Sequence, residues 1–143
     1  MSKIKVGIVG YGNLGKGVQK AIDQNDDIEL VAIFTRRSPE SMVSEGGEVR
    51  FETIANAEQY KGKIDVMILC GGSATDLPEQ TPAITALFNT VDSFDTHAKI
   101  PEFFDEVNAV AKKSRYIERN FHWLGPRLVL PEPSAVRSYF AAR

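Results

Sequence analysis

A glycine-rich turn, Gly10-Tyr11-Gly12-Asn13-Leu14-Gly15, constrains the fold of this chain more than any other feature. β-Branched and apolar residues from 4 to 9 precede the turn and predict a buried strand. A helical apolar period follows from 13 to about 24. The spacing G-x-G-x-x-G between a strand and a helix is typical of a dinucleotide site, where N–H groups at the helix N-terminus face a pyrophosphate.

Each glycine of this turn has its own expected role. Gly10 permits the tight turn, Gly12 lets the backbone approach a pyrophosphate, and Gly15 lets the helix lie close to the strand. The alternative is an ordinary glycine-rich turn without a ligand, which the flanking strand and helix make the weaker interpretation.

The rest of the chain alternates strands and helices, which predicts the α/β class with a Rossmann-like, doubly wound parallel sheet. Strands are predicted at 28–34, 49–54, 66–70 and 90–92, and helices at 78–88 and 101–113. The segment 66–70 is apolar on both faces, as a central parallel strand should be. The 143 residues are 43% hydrophobic, which is enough for the core of one domain.

Charge and cysteine content exclude several classes of function. The net charge is −2, so the chain has no basic excess to bind nucleic acid or an anionic membrane surface. Its apolar runs are strand-sized, too short to cross a bilayer, and no signal peptide is apparent. The single cysteine, Cys70, cannot form an intrachain disulfide, so we expect a reducing, cytoplasmic location.

The residues after the second strand predict which cofactor is bound. A site for NAD(H) usually has an acid there to bond the ribose 2′-hydroxyl, whereas this chain has Thr35-Arg36-Arg37-Ser38. Arginine offers a permanently charged, planar set of donors to a phosphate, so NADP(H) is favoured over NAD(H). The alternative is two solvated surface arginines.

Two further loops follow predicted strands at the same edge of the sheet. Gly71-Gly72-Ser73-Ala74 are small enough for a nicotinamide ribose to come close. Cys70, just before them, is expected to be a small buried apolar side chain and not a nucleophile, because no local base is evident. Asp92 is a candidate partner of a cationic amine, and His97 is either functional or a solvated capping residue.

Four segments of the chain resemble the NADP-dependent meso-diaminopimelate dehydrogenases, and the similarity runs from Met1 to about Ser114. The third segment is the most specific, because a generic Rossmann domain has no need for it. The segments are Val9–Gly15, Phe34–Arg37, Leu69–Gln80 and Val91–His97.

The resemblance implies an activity. The family oxidatively deaminates the D-configured centre of meso-2,6-diaminopimelate to L-2-amino-6-oxopimelate and ammonia, and reduces NADP⁺. The reverse reaction serves lysine and cell-wall synthesis. The family forms homodimers and acts on this small molecule, and we expect no metal site in this chain. Carried over to this sequence, the resemblance implies that Tyr11 to Leu14 contact the pyrophosphate and that Thr35, Arg36 and Arg37 hold the 2′-phosphate. It implies that Gly71 to Ala74 line the nicotinamide ribose and that Phe94, Asp95 and Thr96 lie along the cofactor. Asp92 would face the reacting centre.

The resemblance ends at Lys113-Ser114, where the family continues with a sixth strand, a Gly-Trp-Asp-Pro-Gly loop and a substrate domain. We therefore expect an NADP-binding domain at 1–114, a non-matching tail at 115–143 and a missing substrate domain. The sheet edge beyond 90–92 should be unpaired and Asp92 should face water. Weak cofactor binding without turnover and without the family's homodimer would follow.

Two alternatives to the family dehydrogenase stay open. One is an NADP(H)-binding module without catalysis. The other is a different amino-acid-pathway oxidoreductase, such as a relative of homoserine dehydrogenase or dihydrodipicolinate reductase. The string from Ser73 to Gln80 argues against this last alternative, because such proteins do not need it.

The tail has a testable origin. Synonymous codons exist for Arg115 to Pro133 that, when read from the second base, encode an apolar strand followed by Gly-Trp-Asp-Pro-Gly. We therefore predict that the tail is a frameshift product. Sequencing the gene checks this, and codons that do not yield that motif in the shifted frame would refute it.

Overall fold

The computed structural model describes residues 2–115 and 118–120. Within them, six parallel strands form one sheet in the order β3-β2-β1-β4-β5-β6. The elements in chain order are β1 (Ile4–Val9), α1 (Asn13–Ile22), β2 (Ile28–Thr35), β3 (Arg50–Thr53), β4 (Val66–Leu69), α2 (Leu77–Thr85), β5 (Asn89–Asp92), α3 (Ile100–Ser114) and β6 (Glu118–Asn120).

This strand order is that of the Rossmann fold, so the predicted fold class is confirmed. The chain leaves β1 toward β2 and β3, then returns to the other side of β1 to form β4. The loops that follow β1 and β4 therefore diverge in opposite directions and open a crevice at the carboxyl ends of the strands. Any ligand of the sheet is expected in this crevice.

The core lies in two layers, one on each face of the sheet. On one face, the buried sheet residues Val6, Ile8 and Ile33 form a cluster with Ile22 of α1. On the other face, α2 and α3 cover a larger cluster that includes Phe34, Met67, Leu69, Leu77 and Val107. Each such side chain contributes roughly 1.5–3 kcal/mol when fully buried. Helices on both faces explain why the segment of β4 is apolar throughout. Within residues 2–115, each helix is too short or too polar to cross a membrane.

The prediction of an unpaired edge beyond β5 is wrong, because β6 occupies it. The registered pairs are Thr90 with Glu118, Val91 with Arg119 and Asp92 with Asn120. A parallel pair is joined by backbone N–H and C=O groups, so a polar segment at the edge of a sheet can form one. Arg115, with φ of 62°, ends α3 in the left-handed conformation that turns the chain back toward the sheet.

The other differences between the observed elements and those predicted from the sequence are local. Short 3₁₀ helices at Pro39–Ser41, Ile54–Tyr60 and His97–Lys99 occupy segments for which no element was predicted, apart from Ile54. Helix α2 ends at Thr85, before the expected 88. The segments 116–117 and 121–143 lie outside the described residues, and so does most of the tail that we interpret as a frameshift product.

Candidate functional site

A cleft of about 260 Å³ opens at the carboxyl ends of β1, β2 and β4. This is the crevice that the strand order predicts. Three chain segments with predicted site residues meet there, the glycine turn, the end of β2 and the loop after β4. The lining residues are Gly10, Tyr11, Gly12, Thr35, Arg36, Arg37, Met42, Ile54, Cys70, Gly71, Gly72, Asp76 and Gln80.

The three glycines of the turn have the geometry expected from the sequence. Gly10 has φ of +93°, and a Cβ there would lie 3.2 Å from the carbonyl carbon of Cys70. A Cβ on Gly15 would collide with the carbonyl oxygen of Gly10. A Cβ on Gly12 would meet no protein atom within 4 Å, so the space over this residue is open to a ligand.

The N-terminus of α1 adds positive potential to the cleft. Helix α1 starts at Asn13, with Gly12 at the capping position, and no side chain caps it. Its first turn contains no acid. Free N–H groups and the helix dipole therefore favour an anion beside Gly12. Asn13 and Leu14 are exposed next to the cleft but do not line it.

The side chain of Tyr11 has a structural task. Its ring is buried and meets the ring of Phe51 edge to face, with centroids 5.2 Å apart. Its hydroxyl donates to Oε1 of Gln19 and accepts the backbone N–H of Glu45 at 2.9 Å. The side chain thus ties the segment 42–48 to α1. Only the backbone of Tyr11 is left to approach a pyrophosphate.

The residues that follow β2 present two arginines to the cleft. Thr35 is buried, and its Oγ1 accepts the backbone N–H of Arg37 at 3.0 Å, which orders the turn. Both arginines are exposed. Nη1 of Arg36 lies 2.7 Å from Oδ1 of Asp76, across the cleft. The end of β2 is therefore cationic, with one charge paired.

The loop after β4 is held by hydrogen bonds on both sides. The N–H of Gly72 donates to Oδ2 of Asp76 at 3.0 Å. Oγ of Ser73 accepts the N–H of Asp95 at 2.9 Å and donates to the carbonyl of Ser93 at 3.4 Å. These contacts fix the β4 loop against the β5 loop. Gly71 and Gly72 line the cleft, whereas Ser73 and the exposed Ala74 do not.

Cys70 behaves as the sequence predicts. Burial raises the pKa of its thiol to about 12. A thiol with this pKa stays protonated at neutral pH and is a poor nucleophile. Cys70 is thus an apolar part of the cleft wall.

The residues after β5 do not line the cleft. Phe94 is buried in the core, stacked on Phe103 with ring centroids 4.0 Å apart. Asp95 is exposed, Thr96 is half-buried, and His97 begins a 3₁₀ helix at the surface. The ring of Phe94 therefore serves packing, and a cofactor wall here would be formed by backbone and by Asp95 and Thr96.

Asp92 is buried, with 1% of its surface exposed, so the prediction that it would face water is wrong. Its Oδ1 accepts the N–H of Phe94 at 3.1 Å. Its Oδ2 and Oγ1 of Thr81 are buried, and neither has a hydrogen-bond partner among the described residues. Burial raises the pKa of Asp92, while the N–H of Phe94 and the nearby Thr81 hydroxyl lower it to a smaller extent. The packing of α2 on β5 excludes water from this carboxyl group.

Known proteins are similar to this chain in sequence and in fold. The meso-diaminopimelate D-dehydrogenase of Ureibacillus thermosphaericus is 62% identical over 114 residues, a match that covers 80% of this chain and 35% of that protein. A crystallised variant of the meso-DAP dehydrogenase of Clostridium tetani, with DAP, is 55% identical. Its TM-score is 0.75, over 82% of this chain and 36% of its own. An engineered D-amino acid dehydrogenase bound to NADP⁺ is 36% identical, with a TM-score of 0.76 over 83% of this chain and 36% of that chain.

The chain resembles part of the meso-diaminopimelate D-dehydrogenases. The resemblance inferred from the sequence is therefore confirmed. The chain spans about a third of the length of the curated relatives it matches, 35% for the Ureibacillus protein. No protein-family model matches it.

Besides Cys70, four residues that line the cleft of this diaminopimelate dehydrogenase-like chain were not among the predicted site residues. Met42 and Ile54 reach it from the segments after β2 and β3, and Asp76 and Gln80 reach it from the start of α2. Asp76 was detectable, because an acid four residues after Gly72 can accept the N–H of that loop. Met42 carries no such signal, since only the path of its loop brings it there.

Replacing Asp92 by Asn is predicted to stabilise the fold at neutral pH. Because burial raises the pKa of Asp92 above its ordinary 3.8, ionisation at neutral pH costs the folded state free energy. The neutral amide removes this cost, and its oxygen can still accept the N–H of Phe94. We expect the free energy of unfolding, measured by denaturant titration, to rise by about 1 kcal/mol.

The pH dependence identifies the cause. The gain should shrink as the pH falls through the folded-state pKa of Asp92 toward 3.8, because the wild-type carboxyl then becomes neutral too. Asp95→Asn removes the same charge from an exposed position and should change stability by less than about 0.5 kcal/mol. Destabilisation by Asp92→Asn, equal at both ends of the pH range, would contradict this account.

Proposed function

We propose that this chain is the NADP(H)-binding part of a meso-diaminopimelate D-dehydrogenase. The proposal rests on the composition of the cleft. The N-terminus of α1 and the arginines after β2 both border it, and the space over Gly12 is free of protein atoms. Relatives of 62% and 55% identity have that enzyme's name. A further relative, the engineered D-amino acid dehydrogenase, is bound to NADP⁺.

The residues of the cleft fit the parts of this cofactor. The pyrophosphate would lie on the N-terminus of α1, over Gly12, and the 2′-phosphate would be held by Arg36 and Arg37. Oε1 of Gln80 is buried in the cleft wall and has no hydrogen-bond partner among the described residues. This oxygen could therefore accept a hydrogen bond that a ribose hydroxyl donates. Thr35 orders the arginine turn through its bond to Arg37.

The reaction follows from the chemistry of the proposed substrate. When bound, NADP⁺ would supply the hydride acceptor for the D-configured carbon of meso-diaminopimelate, and water would then release ammonia from the oxidised centre. Asp92, at the carboxyl end of β5, is proposed to hold the amine of that centre, and its unpartnered Oδ2 supports this role. A buried carboxylate oxygen without a hydrogen-bond partner is costly, and such costs cluster at functional sites.

We further propose that 1–114 form the binding domain, to whose sheet Glu118–Asn120 of the tail is added as β6. The family's homodimer and a cytoplasmic location remain predictions for the whole protein. Light scattering on the purified chain measures the oligomeric state, and we expect a monomer if the dimer contacts lie in the part of the relatives that this chain does not match.

The chain is predicted to bind NADPH more tightly than NADH. Two charge-assisted contacts of Arg36 and Arg37 with the 2′-phosphate are together worth about 2–4 kcal/mol. Calorimetric titration with both dinucleotides measures the difference. Arg37→Ala should weaken NADPH binding about tenfold or more and leave NADH binding nearly unchanged. Equal affinity of the wild-type chain for NADPH and NADH would refute the assignment.

A matched pair of glycine variants tests where the dinucleotide lies. A Cβ added at Gly12 or at Gly17 would meet no protein atom within 4 Å, so we expect both Gly12→Val and Gly17→Val to fold. Only Gly12 faces the cleft, so only its replacement should abolish NADPH binding. Retained binding by Gly12→Val, with a native circular dichroism spectrum, would mean that the turn has no role in the site.

A second candidate function is NADP(H) binding without turnover by this chain alone. The burial of Asp92 favours this second function. Asp92 is the residue proposed to bind the substrate amine, and the described residues leave it almost no exposed surface for a substrate to contact. Positioning of the reacting carbon supplies about 7–11 kcal/mol of barrier reduction, and that contribution would be absent. We predict no reduction of NADP⁺ at saturating meso-diaminopimelate. Turnover of roughly 1 s⁻¹ or more by chain of confirmed mass would show that this chain is an enzyme by itself.

A further inference from the structure

An ion pair bridges the two walls of the cleft. Arg36 follows β2 and Asp76 precedes α2, and the strands β2 and β4 lie on opposite sides of β1. The contact of 2.7 Å between Nη1 of Arg36 and Oδ1 of Asp76 therefore passes over the carboxyl end of β1, where the glycine turn begins. The pair crosses the surface on which a dinucleotide would lie.

The two partners of this pair are held very differently. The Asp76 side chain is 13% exposed, and its Oδ2 accepts the N–H of Gly72 at 3.0 Å. The Arg36 side chain is 68% exposed and reaches across the cleft. Oδ1 of Asp76 accepts no well-aligned hydrogen bond, so the contact is mainly electrostatic. Asp76 is thus a fixed anchor, and Arg36 is the partner that can swing away.

We propose that the Arg36–Asp76 ion pair is a latch that closes the cleft until a dinucleotide binds. The inference rests on the proposed function, because it takes the cleft to be the dinucleotide site. On binding, the guanidinium leaves the Asp76 carboxylate and its donors turn to the 2′-phosphate of NADP(H). Asp76 is a positioning residue, and it acts on the ligand only through Arg36.

The latch predicts a specific pattern of affinities. A ligand that binds only the open state has its affinity lowered by the fraction of molecules that are closed. That fraction belongs to the free protein, so NADPH and NADH are affected by the same factor. Because Arg36 is largely exposed, the pair is weak, and the factor should be about two- to fivefold. The preference for NADPH comes from the phosphate contacts and is unchanged by the latch.

The test measures NADPH and NADH affinities of the full chain in a double-mutant cycle of Asp76→Asn and Arg36→Ala. The Asn side chain keeps an oxygen for the N–H of Gly72, and Asp76→Ser is a second variant that also keeps one. We expect Asp76→Asn to tighten both dinucleotides about two- to fivefold, and to have no effect when Arg36 is already Ala. Glu79→Gln, which removes a charge from an exposed position in the same turn of α2, should change neither affinity.

Each other outcome overturns the latch. Weaker NADPH binding by Asp76→Asn, with NADH unchanged, would mean that Asp76 orients Arg36 toward the phosphate. Tighter binding that persists in the Arg36→Ala background would mean that the carboxylate merely repels the anionic ligand. Unchanged affinities would mean that the pair does not close the cleft. If the wild-type chain binds NADPH and any of these results appears, the proposed function stands and the latch falls. Absence of NADPH binding to the wild-type chain would refute both.

Discussion

The contact on which the site depends is the approach of α1 to the carboxyl end of β1. Gly15 lies so close to the carbonyl of Gly10 that no side chain fits between them, and Gly10 itself requires a positive φ. This approach directs the N-terminus of α1 into the crevice between the loops after β2 and β4. Without it the N–H groups of the helix would face solvent, and the arginines after β2 would have no anion-binding site beside them.

Electrostatic balance at this crevice is set by chain segments that lie far apart in sequence. The helix N-terminus and two arginines are positive, and Asp76 offsets one of the arginines in the free protein. Tyr11 positions a further part of the cleft wall, because its hydroxyl accepts the N–H of Glu45 and so holds the segment 42–48 in place. That segment brings Met42 to the cleft. The site is therefore preorganised in its backbone, whereas the side chains of Arg36 and Arg37 are exposed.

Around Asp92 the fold accepts a local cost. Its Oδ2 and the hydroxyl of Thr81 are buried without hydrogen-bond partners among the described residues. Apolar residues of similar size would be more stable at both positions. A polar pair retained at the carboxyl end of β5 is understandable if stability is given up there for recognition of a substrate amine.

The sequence by itself determined the Rossmann class, the strand–turn–helix unit at Gly10–Gly15 and the cationic end of β2, because these depend on short-range periodicity, glycine sterics and charge. It did not show β6, since backbone pairing at a sheet edge does not require apolar residues. Nor did it show that Asp92 and the ring of Phe94 are buried, or that Asp76 meets Arg36. Those features were decided by the tertiary structure, because each requires two elements distant in sequence to come within contact distance.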